Sequence, residues 1–347
     1  MKKRTLVWFL LLAFSLALLS GCGGAAPAAT EAPAATEAPA AVEAPAEAEP
    51  ETPAAPAYPE KTVSVICHNS AGGSIDTTVR LLADYASSAL GQAFVVENVE
   101  GAGGRAGNAQ VYTSAPDGYT IGTENVLTLL IGQAAFEGQY DSLSFSHIFG
   151  YVETGHVIVV KDDSPIQTME ELVEQMKAGR TTCATFGKGS SSHLQMIEIV
   201  DALGVGDNVA YVHFDGTSPQ LTAILGNNCD FAITGYGAFA KTEGLRALAV
   251  ADNVRDQFMS EVPTIAECGI DAPIATQIWG ILAPPETPDE IVKILSDTFA
   301  AAVQDPTVVE GFTKIKLTPT ALETEEFIAK VQEQNQMVQD NLAVLTQ

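Results

Sequence analysis

One repeated unit constrains the fold of this chain more than any other feature: a β-strand, then a glycine-rich loop, then an amphipathic helix. Its first copy predicts a strand at residues 63–67, a loop at residues 71–74 and a helix at residues 76–90. Gly91 is placed to end that helix. Strands that alternate with helices in this way are typical of α/β folds built on parallel sheets.

The unit recurs along the rest of the chain. Further strands are predicted at residues 94–97, 120–122, 157–160, 182–186, 209–214, 230–234, 245–250 and 278–282. Helical stretches and glycine turns separate these strands, and residues 58–347 are long enough to form two hydrophobic cores. The sequence therefore predicts two α/β lobes with parallel-rich sheets.

Residues 1–57 do not follow this pattern. Three basic residues precede an apolar run at residues 6–19, and small residues follow it, as in a secretory signal. The run is short for a membrane span. The sequence Leu19-Ser20-Gly21-Cys22 is similar to the lipobox of bacterial lipoproteins, in which the cysteine is lipidated. An ordinary signal peptide with a chance cysteine is the alternative.

The segment after Cys22 is rich in alanine, proline and glutamate and has almost no large apolar side chain. Such a composition cannot bury enough surface to fold, and its prolines favour an extended spacer. We therefore predict a lipoprotein signal peptide at residues 1–21. Residues 22–57 are predicted to be a lipidated cysteine and a disordered tether.

The charge of the chain limits its partners. The formal net charge is −26 at pH 7, which suits neither nucleic acid nor an anionic lipid surface. Contact with a membrane is therefore expected through the lipid anchor only. The remaining cysteines, Cys67, Cys183, Cys229 and Cys268, have no metal-like spacing, and their disulfide pattern stays open.

No motif indicates catalysis. Residues 101–106, GAGGRA, fit a dinucleotide loop, but the nearest downstream acid, Asp117, lies in a turn, so a tight strand-to-helix turn is favoured. The GKGSS stretch at residues 187–191 lacks the residue order of a phosphate loop. The five histidines are scattered. We therefore expect no enzyme, no cofactor and no metal site.

Two loops share one arrangement. Residues 70–73 and residues 187–192 each connect a predicted strand to the start of a helix. Free backbone N–H groups and the helix dipole make such turns suitable for anions, and ligands of open α/β sheets bind at the carboxyl ends of the strands. Two facing loops would clamp a carboxylate; the alternative is that both are only tight turns.

The order of these motifs resembles one protein family. Residues 58–122, with the stretches NSAGGSID, VVENVEGAGG and PDGYT, resemble the opening of the Bug-type solute receptors of tripartite tricarboxylate transporters. GKGSSSHL, GTSPQLTAILGNNCD, VPTIAECG and WGILAPPETPDEIV match the second half in order. The resemblance implies a type II periplasmic-binding-protein fold, a Venus flytrap that closes on an organic carboxylate and delivers it to a membrane permease of two subunits.

The resemblance also implies the site. The matching positions are Ser70, Ala71, Gly72, Gly73, Asp76, Gly187, Gly189, Ser190, Ser191, Gly216 and Thr217. His68 and Asn69 depart from the family pattern, and our hypothesis is that they contact the variable end of the ligand. Asp215 and Thr234 also depart from it, so the identity of the carboxylate stays open.

These expectations combine into one prediction. Residues 58–160 and 275–347 are expected to form the first lobe, and residues 161–274 the second. The protein is then a monomeric, extracytoplasmic, lipid-anchored receptor for a small carboxylate, on the outer face of the cell membrane or in a periplasm. The alternatives are a receptor that signals to a membrane kinase and, less favoured, a secreted enzyme.

Overall fold

The structure, a computed structural model, describes residues 57–214 and 216–346. The predicted signal peptide, the lipidation site at Cys22 and nearly all of the tether lie outside the described residues. In the described ranges, no helix combines the length and the apolar character that crossing a bilayer requires.

Ten strands and eleven α-helices follow one another in the described part of the chain. The strands are β1 Val63–Cys67, β2 Phe94–Asn98, β3 Thr120–Asn125, β4 Ser146–Thr154, β5 His156–Lys161, β6 Thr181–Thr185, β7 Val209–His213, β8 Phe231–Gly235, β9 Leu245–Ala251 and β10 Gln277–Ala283. The helices are α1 Ser74–Leu90, α2 Arg105–Tyr112, α3 Val126–Phe136, α4 Met169–Ala178, α5 Ser191–Leu203, α6 Thr217–Leu225, α7 Tyr236–Ala240, α8 Asp289–Ala302, α9 Pro306–Lys314, α10 Thr324–Asp340 and α11 Leu342–Leu345.

The strands form two five-stranded sheets with equivalent order. The first sheet runs β2-β1-β3-β10-β4 and the second runs β7-β6-β8-β5-β9. In each sheet the first three strands are parallel, whereas β10 and β5 are antiparallel to both of their neighbours. The sheets are therefore mixed. The antiparallel member of each one arrives from the other lobe, which the local pattern of strands and helices does not reveal.

The chain crosses between the lobes twice. Gly155 joins β4 to β5, and residues 252–276 lead from β9 back to β10. Because β5 pairs with β8 and β9, the first lobe ends at Gly155, and the predicted boundary at residue 160 is one strand too late. Leu322 pairs with Gly150 of β4, so the chain between α9 and α10 returns to the first sheet.

Each lobe has a core on the face of its sheet. In the first lobe, the apolar face of α1, including Val79 and Leu82, packs with Phe299 of α8 and Phe312 of α9. In the second lobe, α4 and α5 pack against the sheet around Phe231. The four cysteines of the described ranges are free thiols.

A third apolar cluster joins the two lobes. Ile131 of α3 packs in it with Leu194 and Ile197 of α5 and with Val338 of α10. Nearby, Asn341 Nδ2 donates a hydrogen bond to Glu198 Oε1 at 2.8 Å. Because α3 and α10 belong to the first lobe and α5 to the second, this cluster fixes how the ends of the two sheets approach each other.

Candidate functional site in the cleft between the lobes

The candidate site is formed by the loops that follow the parallel strands. In both sheets the carboxyl ends of these strands lie along one side of the sheet, which we call the edge that carries the site. Each strand runs from there into a loop and a helix. Ligands of open α/β sheets bind outside the carboxyl ends of the strands. A ligand is therefore expected between the two edges, if the edges face each other.

The two edges do face each other, and they are in contact. A Cβ added to Gly237 of α7 would lie 3.0 Å from Ser74 Oγ, at the start of α1, and 3.4 Å from the carbonyl oxygen of Ile315. A Cβ added to Gly189 would lie 2.1 Å from Cε2 of Phe136 on α3. The lobes close at these two points, where the absence of a side chain permits the approach.

The loop between β1 and α1 leaves the start of the helix available to an anion. The Gly73 N–H donates to the carbonyl oxygen of Ser70 at 3.1 Å, which closes the turn. Gly73 is the N-cap residue and has no side chain that could cap the first turn of α1. Ser70 and Ala71 are exposed. The loop thus offers backbone N–H groups and the positive end of a long helix.

Asp76 holds this loop together from inside. Its Oδ2 accepts from the Gly72 N–H at 2.8 Å, and its Oδ1 accepts from Asn98 Nδ2 at 2.8 Å and from Arg80 Nε at 3.0 Å. Burial alone would raise the pKa of Asp76, but these donors hold it below its usual value. All of the polar contacts of this carboxylate are internal, so the structure gives Asp76 a positioning role in the loop.

His68 is also internal. Its Nδ1 lies 2.8 Å from the carbonyl oxygen and 2.9 Å from Oγ1 of Thr123, and the residue is 6% exposed. A Cβ on Gly104 would lie 2.8 Å from the ring, which therefore packs under the second glycine loop. Burial lowers the pKa of His68 to about 4, so the ring is neutral at pH 7. In this arrangement the Nδ1 side of the His68 ring connects β1 to β3.

Asn69 keeps a polar atom for other contacts. Its carbonyl oxygen accepts from Asn98 Nδ2 at 2.8 Å, but its side-chain Oδ1 is buried and has no hydrogen-bond partner among the described residues. Of the two residues that depart from the family pattern in this loop, Asn69 is thus the one with a free acceptor.

The loop between β6 and α5 is built differently. Ser190 caps α5, because its Oγ accepts from the His193 N–H at 3.3 Å and donates to the Gly187 carbonyl oxygen at 2.8 Å. The Gly189 N–H donates to His193 Nδ1 at 3.2 Å. Ser190, Ser191 and Ser192 are all buried. The second lobe therefore contributes a capped helix start lined with hydroxyl groups, in contrast to the uncapped α1.

Two histidines, His156 and His193, lie behind this loop. His156 Nε2 lies 3.1 Å from Ser191 Oγ, and its ring stacks on Phe186. Burial lowers the pKa of His156 to about 3, and burial together with the neighbouring His213 lowers that of His193 to about 3. Both rings are neutral at pH 7. Because His156 arrives on the crossing strand β5, no local motif links it to the loop.

The third loop of the site precedes α6. Gly216 is its N-cap residue and provides no side-chain cap, and the half-buried Thr217 begins the helix. Asp215 lies outside the described residues. The predicted positions Gly216 and Thr217 thus lie at a second uncapped helix start, at the same edge of the sheet as the β6–α5 loop.

A buried glutamine, also not predicted from the sequence, spans a gap in the second sheet. The pairing of β6 with β8 ends at Ala184 and Ala232. Beyond it, Gln220 Nε2 donates to the carbonyl oxygens of Ala184 at 2.9 Å and Ile233 at 2.8 Å. Gln220 therefore joins the two strands where they separate, at the edge that carries the site.

The crossing segments are bonded to each other beside the cleft. Asp252 Oδ2 accepts from the Gly155 N–H at 2.9 Å and from the Tyr236 hydroxyl at 3.4 Å. Gln277 Nε2 donates to the Gly155 carbonyl oxygen at 3.3 Å. Burial raises the pKa of Asp252. These contacts connect both segments on which the lobes would rotate.

The site contains the groups of an anion-binding site: helix starts, hydroxyls and neutral imidazoles. Over the described ranges, no group of three or more histidine, cysteine, aspartate or glutamate residues is placed to hold a metal ion. A cavity of about 360 Å³ does occur in the second lobe, lined in part by Lys161 and Asp230. Lys161 ends β5, and Asp230 precedes β8, which is antiparallel to β5. This cavity therefore lies at the opposite side of the sheet from the candidate site and does not contribute to the cleft.

Comparisons with known proteins agree with this architecture. Residues 78–344 match the model of the tripartite tricarboxylate transporter family receptor, TctC. A protein of Agrobacterium vitis, described as a UPF0065 protein in the TAR-I ttuE-ttuC' intergenic region, is 32% identical over 276 residues, which are 76% of this chain and 78% of that protein.

Solved structures show the same fold. The periplasmic binding protein BugD superposes with a TM-score of 0.72 and 29% identity, over 82% of this chain and 97% of BugD. MatC from Rhodopseudomonas palustris with bound malate superposes with a TM-score of 0.70 and 26% identity, over 83% of this chain and 99% of MatC. The predicted two-lobed periplasmic-binding-protein fold is thus confirmed.

The matched family and these structural neighbours are substrate-binding proteins and not enzymes, as predicted from the sequence. Receptors of this kind work outside the cytoplasm. Match length, identity and fold all indicate the same family. This chain belongs to the receptor family of the tripartite tricarboxylate transporters, as an extracytoplasmic solute-binding receptor.

Proposed function

We propose that this protein binds a small organic carboxylate between its two lobes and delivers it to the permease subunits of a tripartite carrier. The observation that carries the proposal is the contact of the two sheet edges, with the open start of α1 beside α7 of the other lobe. A carboxylate there would accept hydrogen bonds from backbone N–H groups and stabilise the helix dipole. Ser70, Ala71, Gly72 and Gly73 form the half of the site that the first lobe contributes.

The second half of the site is proposed to lie at Gly187, Gly189, Ser190, Ser191, Gly216 and Thr217. A ligand that touches both halves is bound fully only when the lobes are closed. It therefore shifts the population toward the closed form by its differential affinity for the two forms. Hydrogen bonds to a charged group contribute roughly 1.5–3 kcal/mol each, so four to six of them support micromolar binding after the ordering costs.

The chain with Cys22→Ser is suitable for the first test, because it removes only the proposed lipidation site. We expect dicarboxylates or tricarboxylates to raise the midpoint temperature of unfolding and their methyl esters to leave it unchanged. At a ligand concentration a hundred times Kd, binding stabilises the folded state by about 2.7 kcal/mol. Stabilisation by sugars or metal cations, with none by any carboxylate, would contradict the proposal.

The anchor and the delivery step need separate tests. Mass spectrometry of the mature chain is expected to show a lipid-modified Cys22 as its first residue, and Cys22→Ser is expected to release the protein from the membrane. Uptake of a labelled carboxylate by vesicles that contain the permease should require the receptor. Binding without such uptake, together with the activation of a membrane kinase, would favour the sensory alternative.

A further inference from the structure

Two buried oxygen atoms lie near the carboxyl ends of the parallel strands in the second sheet, the side that carries the candidate site. Among the described residues, Gln220 Oε1 and Thr234 Oγ1 have no hydrogen-bond partner, and both residues are 0% exposed. Buried polar groups of native proteins are nearly always paired with protein, ordered water or ligand. Two unpaired oxygens at the edge where a ligand is expected therefore indicate a group that the protein chain does not supply.

The geometry fixes which end of the Gln220 amide is free. Its nitrogen donates to two carbonyl oxygens, those of Ala184 and Ile233, so both of its N–H groups are used and the assignment of oxygen and nitrogen is determined. The amide is planar, and its oxygen diverges from the nitrogen that points at the strands. Gln220 therefore offers an acceptor only, and it is held rigidly by the two strands.

Thr234 is connected to this amide through the backbone of β8. It follows Ile233, whose carbonyl oxygen Gln220 contacts, and it shares a face of β8 with Ala232, which packs in the cluster on the α6 side of the sheet. Its hydroxyl both donates and accepts. Gln220 lies in the first turn of α6, which follows the uncapped helix start at Gly216, and Thr234 lies near the end of β8.

The chemistry of the pair selects a hydroxyl group. An acceptor and a hydroxyl together pair well with a ligand O–H, which donates to one and accepts from the other. A ligand carboxylate would leave Gln220 Oε1 facing another acceptor. An ammonium group would be buried against two neutral groups, which is costly without a counter-charge. A hydroxyl therefore fits this position better than either charged group.

We infer that Gln220 and Thr234 are specificity-determining residues that bind a hydroxyl group on the carbon chain of the carboxylate ligand. The inference rests on the proposed function and refines it, since it names the ligand as a hydroxy acid. A site built to hydrogen-bond a hydroxyl strongly rejects the analogue that lacks it, because the polar groups of the protein are then left buried and unpaired.

The test uses the best-bound carboxylate and its counterpart that differs by one hydroxyl, such as malate with succinate or citrate with tricarballylate. We expect calorimetry to give at least tenfold tighter binding of the hydroxylated member. Thr234→Val keeps the size of the side chain and removes only the hydroxyl. This substitution should reduce the preference several-fold, because it lowers the affinity for the hydroxylated ligand and leaves the affinity for the other ligand unchanged. Gln220→Met should do the same, and urea unfolding will report any separate loss of stability.

Thr298→Val is the matched control, because Thr298 is a buried threonine of α8, remote from the cleft, whose hydroxyl donates within its own helix. It should leave the preference unchanged. Equal affinity for both members of the pair, or a preference that survives both cleft substitutions, would overturn the inference while the receptor function stands. Equal weakening of both ligands would also overturn it, because the role would then be structural. Binding of no carboxylate at all would refute the proposed function itself.

Discussion

The contact between Gly189 and Phe136 allows a direct test of lobe closure. In Gly189→Ala, the new Cβ would lie 2.1 Å from Phe136 Cε2 and 2.9 Å from Ile131 Cγ2, both on α3 of the other lobe. Overpacking of this kind costs about 1–3 kcal/mol. The cost applies when the lobes are in contact, so it should reduce affinity by about 5- to 150-fold. The substitution also strains the backbone, because Gly189 has a φ of +71°.

Gly269→Ala is the control that separates the effect of backbone strain from the effect of the clash between the lobes. Gly269 has a φ of +78° and lies in the second lobe, but nothing lies within 4 Å of its added Cβ. Both variants should lose about 1–2 kcal/mol of unfolding free energy from the left-handed backbone. Only Gly189→Ala should also lose affinity. Isothermal calorimetry with the bound carboxylate and urea denaturation of the free protein measure the two effects.

A second substitution shows whether the clash is the cause. Phe136→Ala removes the nearer of the two obstacles, so adding it to Gly189→Ala should recover part of the lost affinity. Small-angle X-ray scattering with saturating ligand should show a less compact Gly189→Ala protein than the Gly269→Ala protein. If the two single variants bind equally well, or if Phe136→Ala recovers nothing, the closed contact is not what the ligand stabilises.

Two further predictions concern stability. Asp76→Asn should lower the unfolding free energy by about 1.5–3 kcal/mol at pH 7, because it removes the charged acceptor of the Gly72, Arg80 and Asn98 donors. Since the folded pKa of Asp76 is lowered, this difference should shrink as the pH falls through that pKa, and urea denaturation at pH 7 and pH 3 will detect it. His68 and His156 have pKa values lowered to about 4 and about 3, so the unfolded chain binds more protons than the folded one below pH 6.5. Each of these two histidines should therefore lower the free energy of unfolding by about 1.4 kcal/mol per pH unit as the pH falls from 6.5 to 4. His147 has the opposite effect, because Glu124 raises its pKa against the effect of burial. His68→Gln should flatten the dependence, and an unchanged slope would contradict the role of burial.

Local patterns predicted the elements well. β1 and the start of β3 lie where the sequence places them, and Gly91 ends α1. β3, however, continues past the predicted end at Gly122 to Asn125. Its last residues are polar and look like a loop, but Glu124 is buried because it pairs with His147 at 2.9 Å. Only tertiary structure supplies that partner.

The same limit applies to the site. The loops after β1 and β6 could be predicted because a strand, a glycine turn and a helix start are neighbours in sequence. His156 and Gln220 could not, because one arrives on the strand that crosses from the other lobe and the other depends on two strand ends that separate. The role of His68 also depends on a distant residue, Thr123, on the adjacent strand.

The double crossing has a consequence for how the molecule is assembled. The second sheet is built from consecutive strands, β5 to β9, so this lobe can complete its sheet from one uninterrupted stretch of chain. The first sheet cannot, because β10 must insert between β3 and β4, which are far earlier in the sequence. Long-range pairing of this kind forms slowly. During export, the first sheet is therefore expected to stay incomplete, with β3 and β4 each lacking one neighbour, until β10, near residue 280 of 347, has emerged.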